Sequence, residues 1–130
     1  MHAIEKRDGY LLITVEGEVS FEILNKVIFE VMARDDYHST STIWDLASGF
    51  PAMKFIDFNT LTATIRSRLI RGGSTRKTAI VSSTGFGVEM AQLWSKMAEP
   101  LLPFKIRAFM SFDEAEKWVL TAPSGQQPPH

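Results

Sequence analysis

A chain of 130 residues with 45% hydrophobic and 22% charged residues has the composition of one globular domain and not of a disordered segment. Its 14 basic and 15 acidic residues leave a formal charge of −1. Nucleic acid is therefore disfavoured as a partner, because phosphate binding needs an excess of Lys and Arg. The chain has no cysteine, which excludes disulfides, thiolate metal sites and a cysteine nucleophile.

Two features of the chain bear on its compartment. Met1 to Asp8 is charged and poor in apolar residues, unlike a secretory signal. No apolar run approaches the roughly 18 residues that a membrane span needs. We therefore expect a cytoplasmic protein that does not span a membrane.

The first two predicted elements form a hairpin. Ala3–Arg7 and Tyr10–Glu16 have the composition of strands, and Asp8-Gly9 between them tolerates the positive φ of a tight turn. Ser20 then caps a predicted helix that continues to about Arg34. Its apolar residues recur at helical spacing, at Ile23, Leu24, Val27, Ile28, Val31 and Met32.

Three further strands alternate with helices. Thr42–Leu46 is a predicted strand followed by a second helix, Phe58–Arg71. Thr78–Ser82 precedes a third helix with Met90, Trp94, Met97 and Leu101 on its apolar face. Phe104–Met110 alternates Phe104, Ile106 and Ala108 against Lys105, Arg107 and Phe109, as in a half-buried strand. It precedes a fourth helix, which begins with the capping box Ser111–Glu114.

This order of elements predicts an α/β fold in a single layered domain. Strands separated by helices imply parallel pairing through crossovers, whereas the opening hairpin adds an antiparallel strand. We therefore expect a mixed sheet of five strands with four helices. Residues 123–130 are rich in Pro and Gln and are expected to form a disordered tail, which leaves 1–122 as the domain.

Three stretches carry a likeness to a known family. Ile43–Leu46 is similar to a central strand ending in Asp-Leu, and Phe55–Leu61 (Phe-Ile-Asp-Phe-Asn-Thr-Leu) to a Phe-Ile-Asp-Ser-Ser-Gly-Leu motif. Ala108-Phe109 with Asp113–Val119 is similar to a final strand and helix. Together, over nearly all of 1–122, they resemble the STAS domain (sulfate transporter and anti-sigma-factor antagonist), in particular its SpoIIAA-like branch. The resemblance implies a module without catalytic activity that docks onto a kinase or channel and is switched by a phosphorylated serine at the start of the second helix.

The chain departs from that family at the switch itself. The two family serines fall on Phe58 and Asn59, neither of which can accept a phosphoryl group. With Asp57 these residues form a degenerate phospho-switch, and Asn59 is predicted to cap the second helix through its side-chain oxygen. The resemblance therefore implies that the switch is lost, with its relocation to Thr60 as the alternative.

The second helix has two contrasting faces. Phe58, Leu61, Ile65 and Leu69 are predicted to meet the sheet. The opposite face is small and nearly uncharged, at Thr60, Ala63, Thr64, Ser67, Ile70 and Arg71. Such a surface loses little on desolvation, which favours a contact with another protein, although an exposed helix without a function is the alternative. We predict that the partner-binding residues are Asn59, Thr60, Ala63, Ser67, Ile70 and Arg71, and that Phe29 adds a second exposed apolar contact.

Two loop features have simple interpretations. Ser83–Gly87 resembles an anion cradle but lacks the spacing and lysine of a P-loop, so a strand-to-helix turn is favoured. A basic cluster lies around the glycines that follow the second helix and comprises Arg66, Arg68, Arg71, Arg76 and Lys77. A solvated surface is the favoured interpretation, and a site for phosphate or an acidic partner is the alternative.

No catalytic or metal site is predicted. The histidines, His2, His38 and His130, are too scattered to share a metal. Asp45 and Asp57 could meet where the parallel strands end, but without a base, metal or nucleophile beside them turn capping is favoured.

The sequence thus predicts a binding or regulatory module that is not an enzyme and needs no cofactor. Its expected partner is another protein or a second copy of the chain. The alternative is a carrier or sensor of a small apolar or lipid-like ligand, in which the nine Phe and six Met would line a cavity.

Overall fold

A computed structural model describes residues 2–17, 20–46, 55–68, 76–102 and 104–121. Within them, two short 3-10 turns accompany five strands and four α-helices. The turns span Tyr37–Ser39 and Glu99–Leu101. In chain order the elements are β1 His2–Arg7, β2 Tyr10–Val15, α1 Phe21–Met32, β3 Ser41–Asp45, α2 Phe55–Arg68, β4 Lys77–Val81, α3 Gly85–Ala98, β5 Lys105–Phe109 and α4 Phe112–Leu120. The predicted tail, 123–130, lies outside the described residues.

The five strands form one mixed sheet in the order β1-β2-β3-β4-β5. β1 pairs with β2 antiparallel, and each later pair is parallel. The predicted α/β fold with an opening hairpin and parallel crossovers is confirmed. Because β2 to β5 are parallel, their carboxyl ends lie together, and this end of the sheet is here named the carboxyl edge. Their amino ends lie together at the opposite end of the sheet, here named the amino edge.

Helices cover both faces of this sheet, unequally. The larger core lies between one face of the sheet and the helices α1, α2 and α3, and the Trp44 side chain of β3 packs against it. The smaller core joins α4 to the other face, where Ile43 points. The helices α1, α2 and α3 each connect two neighbouring parallel strands, and the strand order advances in one direction across the sheet. Because such connections are right-handed, the three helices lie on the same face. α4 follows the last strand and is free to cover the face behind it.

Local signals explain where the chain turns and where two of the helices begin. Gly9 of the hairpin turn has φ +93°, a conformation that glycine adopts without steric cost. Ser20 caps α1 by accepting from the Ile23 N–H at 3.2 Å, and Thr84 caps α3 by accepting from the Gly87 N–H at 2.9 Å. The strand-to-helix turn predicted for Ser83–Gly87 is therefore confirmed.

Three predicted side-chain positions are wrong. Phe29 is half-buried, not exposed. Phe109, assigned with Lys105 and Arg107 to a polar face, is buried, because α4 covers that face and places Trp118 with its ring centroid 5.7 Å away. Leu101 is 48% exposed, because α3 ends at Ala98 and the following 3-10 turn leaves the helical spacing.

The predicted solvated basic cluster is also wrong for two of its members. Arg76 is 8% exposed, and its guanidinium lies between the rings of Tyr37 and Phe104 and donates to the Tyr37 carbonyl at 2.7 Å. Lys77 donates to the carbonyls of Trp118 and Thr121 at the end of α4, where a cation is favoured by the helix dipole. Both cations stabilise the packing of distant segments.

Candidate functional site

α2 is held in place by an apolar face and one buried hydroxyl. Phe58, Leu61 and Ile65 are buried in the larger core as predicted, whereas Leu69 lies outside the described residues. The Thr62 hydroxyl donates to the Phe58 carbonyl at 2.9 Å and accepts from the Trp94 indole N–H at 3.0 Å. This hydrogen bond fixes α2 against α3 at the level of these two residues.

The outer face of α2 presents small side chains to solvent. Thr60, Ala63 and Ser67 are exposed and Thr64 is half-buried. The Thr60 hydroxyl donates to the Ile56 carbonyl and the Ser67 hydroxyl to the Thr64 carbonyl, each at 2.9 Å. Because both hydroxyls bond within their own helix, this face is less polar than its composition indicates.

An open groove runs between α2 and the end of α3. Its volume is about 570 Å³, and it is lined by Asn59, Thr62, Ala63, Arg66, Ser67, Met97 and Leu101. Three of these are predicted partner-binding residues: Asn59, Ala63 and Ser67. The predicted residues Ile70 and Arg71 lie outside the described residues, as does the side chain of Arg68.

Sequence reasoning missed the other groove residues. The sequence places Met97 and Leu101 on the apolar face of the third helix, Arg66 in the basic cluster, and Thr62 on neither of the two faces predicted for the second helix. The signal that could have found Thr62 is Trp94, because a buried indole N–H usually has a hydrogen-bond partner. Nothing local indicates that Leu101 comes beside α2.

The residues at the family's switch position point in different directions. Phe58 is 1% exposed, whereas Asn59 is exposed. The prediction that Asn59 caps α2 is wrong, because the helix begins at Phe55 and Asp57 already lies in its first turn. Asn59 is the fifth helical residue and so lies beyond the four N–H groups that a cap satisfies.

Asp45 and Asp57 belong to opposite faces of the sheet. Asp45 follows Ile43 by two residues in β3 and so shares its face, the face covered by α4. Asp57 belongs to α2, which packs on the opposite face. Burial of the half-buried Asp45 raises its pKa above the ordinary value of 3.8.

This shift predicts a pH-dependent effect on stability. A carboxyl whose pKa is raised by folding destabilises the protein when it is ionised, so Asp45→Asn should raise the free energy of unfolding at pH 7. The gain should shrink as the pH falls through the pKa of folded Asp45, and vanish near the unfolded value of 3.8. Urea unfolding at several pH values measures it.

Asp36 provides a control of opposite sign. The Arg34 guanidinium donates to its carboxylate at 3.0 Å and holds its pKa below the ordinary value. Asp36→Asn should therefore destabilise the protein at pH 7, and the loss should shrink as the pH falls. Parallel pH profiles for the two variants would contradict the assignment of Asp45 to a desolvated site.

A small cavity lies within the larger core. Its volume is about 60 Å³, and its lining includes Leu24, Trp44, Ile65, Trp94 and Phe104. An engineered apolar cavity that binds benzene has a volume of about 150 Å³. The space described here is thus too small for a lipid chain.

Two other kinds of site are absent from the described ranges. No group of three or more His, Asp or Glu residues there is placed to hold a metal ion. None of the helices described has the length and apolar character needed to cross a membrane.

Comparison with known proteins identifies the fold. No family model and no curated protein matches the sequence. The chain is similar to an anti-sigma factor antagonist from Mycobacterium paratuberculosis, with a TM-score of 0.59 and 17% identity over 93% of this chain and 94% of that one. It is also similar to a DUF3478 family protein with a SpoIIAA-like fold from Shewanella loihica, with a TM-score of 0.55 and 14% identity over 92% of each chain. The fold is therefore SpoIIAA-like, as the sequence resemblance implied.

Proposed function

We propose that this chain is a regulatory module without catalytic activity that docks a protein partner through the outer face of α2. The observation that carries the proposal is the groove between α2 and α3. Ala63 and Ser67 give it a small-residue wall, and Met97 and Leu101 give it an apolar one. Small side chains let a partner backbone approach closely, and the apolar wall gains from burial.

The fold supports a regulatory role by analogy. One structure with this fold is an anti-sigma factor antagonist. The resemblance of the sequence separately implies a module that acts by docking. A shared fold is a weaker argument than a site, so the groove remains the primary support.

We also propose that the phospho-switch of the resembled family is lost. A side chain at the position of Phe58 points into the core, where a phosphate would be buried without water. The Thr60 hydroxyl is exposed and donates to the Ile56 carbonyl, so Thr60 remains the alternative acceptor.

The docking proposal predicts that Ala63→Arg weakens partner binding. Ala63 is exposed, so the variant should fold like the wild type, with a change in stability below about 0.5 kcal/mol. A new unpaired cation in a buried interface is costly, so association should weaken by at least about tenfold. Pull-down of a native partner and light scattering of the pure chain measure binding to another protein and to itself.

Two further variants make the test specific. Ser67→Arg places the same charge one turn further along the groove and should act like Ala63→Arg. Gln92→Arg places it on an exposed site of α3 outside the groove lining and should leave binding unchanged. If all three variants keep the partner of the wild type, the outer face of α2 is not the docking surface.

A further inference from the structure

The most exposed large apolar side chains gather at the carboxyl edge. Ile56, Met110 and Phe86 are 65%, 60% and 57% exposed, more than any other large apolar side chain in the described ranges. Ile56 and Phe86 are each the second residue of a helix that begins at this edge, and Met110 directly follows β5. These three residues are here named the edge patch.

Contacts between the elements place the edge patch at one level of the fold. The hydrogen bond between Thr62 of α2 and Trp94 of α3 marks one level in both helices. Ile56 lies about 9 Å of helix rise before Thr62, and Phe86 lies about 12 Å before Trp94. Both helices run in the same direction, so Ile56 and Phe86 lie near the same level. The Ser82 N–H donates to the Phe109 carbonyl at 3.0 Å, so the loop into α3 lies beside Met110. The patch therefore spans the ends of β4 and β5 and the start of α2.

The charges around the patch are predominantly negative, although the guanidinium of Arg107 in β5 lies 5.3 Å from the centroid of the Phe109 ring. Asp45 ends β3, Asp57 lies in the first turn of α2, and Asp113 and Glu114 lie in the first turn of α4. None of the described residues at the ends of β2 to β5 or in the helix turns that follow them is Lys or Arg. The sequence 47–54, outside the described residues, adds a single charge, Lys54.

Helix dipoles explain only part of this acidity. Carboxylates stabilise helix N-termini, which accounts for Asp57, Asp113 and Glu114. α3 departs from that rule, because its first turn has no acid and presents the exposed Phe86 instead. Asp45 belongs to a strand. The amino edge has basic residues at the starts of β4 and β5, namely Arg76, Lys77 and Lys105.

From this geometry we infer that the edge patch binds a basic, apolar protein segment, in which apolar side chains cover Ile56, Phe86 and Met110 and flanking Lys or Arg residues meet the surrounding carboxylates. The carboxylates would repel nucleic acids and anionic membranes and attract cations over distance. The inference deepens the proposed function, on which it rests for the existence of a protein partner. It adds a second surface, distinct from the α2 groove, and specifies that the protein segment bound there is basic.

A pair of synthetic peptides tests the inference directly. Both are amphipathic helices with the same leucine face, one with lysine and the other with glutamate on the polar face. The lysine peptide should bind the isotopically labelled full chain, with NMR shift changes concentrated at the edge patch. Binding should weaken as salt rises from about 50 to about 500 mM, because exposed charges are then screened. The glutamate peptide should not bind.

Matched variants locate the binding. Phe86→Ser and Asp113→Lys should each weaken binding of the lysine peptide by about tenfold. Leu93→Ser and Asp35→Lys change an exposed leucine of α3 and an exposed acid near the amino edge, and should leave it unchanged. Circular dichroism verifies folding, and Met110→Ser replaces Phe86→Ser if the latter unfolds.

Three outcomes would overturn the inference: equal binding of the two peptides, shift changes away from the edge patch, or attachment to phosphatidylcholine vesicles that Phe86→Ser abolishes. The last would make the patch a membrane contact. A negative result with the peptides would not contradict the proposed docking at the α2 groove, because Ala63→Arg tests that surface separately, with a native partner.

Discussion

Replacing Phe58 with serine, the residue of the resembled family's switch, should lower the free energy of unfolding by about 4 kcal/mol. Phe58 is 1% exposed and packs in the larger core beneath α2. The change removes a buried ring, leaves a cavity and buries a hydroxyl. Urea unfolding followed by tryptophan fluorescence measures the loss.

Asn59→Ser is the matched control. It introduces the same residue one position later, on the exposed side of α2, and should change stability by less than about 0.5 kcal/mol. If Phe58→Ser were equally harmless, α2 would not be seated on the sheet through Phe58. The restored serine would then be accessible, and the proposed loss of the switch would fail with it.

Arg76→Met should destabilise the protein by about 2 to 3 kcal/mol, although the sequence suggests a surface residue. The variant loses a charged hydrogen bond to the Tyr37 carbonyl and the stacking of a guanidinium between the Tyr37 and Phe104 rings. Methionine keeps much of the apolar contact, so the loss reports mainly on these polar and aromatic interactions. Urea unfolding again provides the measurement.

Two more variants separate charge from shape. Arg76→Lys keeps the cation without the planar group that stacks on both rings, and should recover less than half of the loss. Arg66→Met removes an exposed arginine and should have little effect. If lysine restored full stability, charge alone would explain Arg76. If Arg66→Met were as damaging, burial would not distinguish the two arginines.

Local features of this protein were predictable because their causes act within a few residues. The Asp8-Gly9 turn needs a residue that accepts positive φ, and Ser20 and Ser111 bond to N–H groups three positions later. Side-chain spacing indicated which face of α2 is buried. Helix ends were less predictable. α2 begins at Phe55, three residues before its expected start, which places Asp57 in the first turn, where the helix dipole favours a carboxylate.

The sequence by itself determined the strand and helix order, and hence the mixed sheet and the layered fold. Only the tertiary structure decided which distant segments meet. Arg76 is buried because Tyr37 and Phe104 enclose it, and Leu101 borders the groove because the 3-10 turn brings it beside α2. The edge patch joins residues from three separate stretches of chain. Spacing along a sequence encodes the faces of one helix or strand, whereas a binding surface depends on packing between elements far apart in the chain.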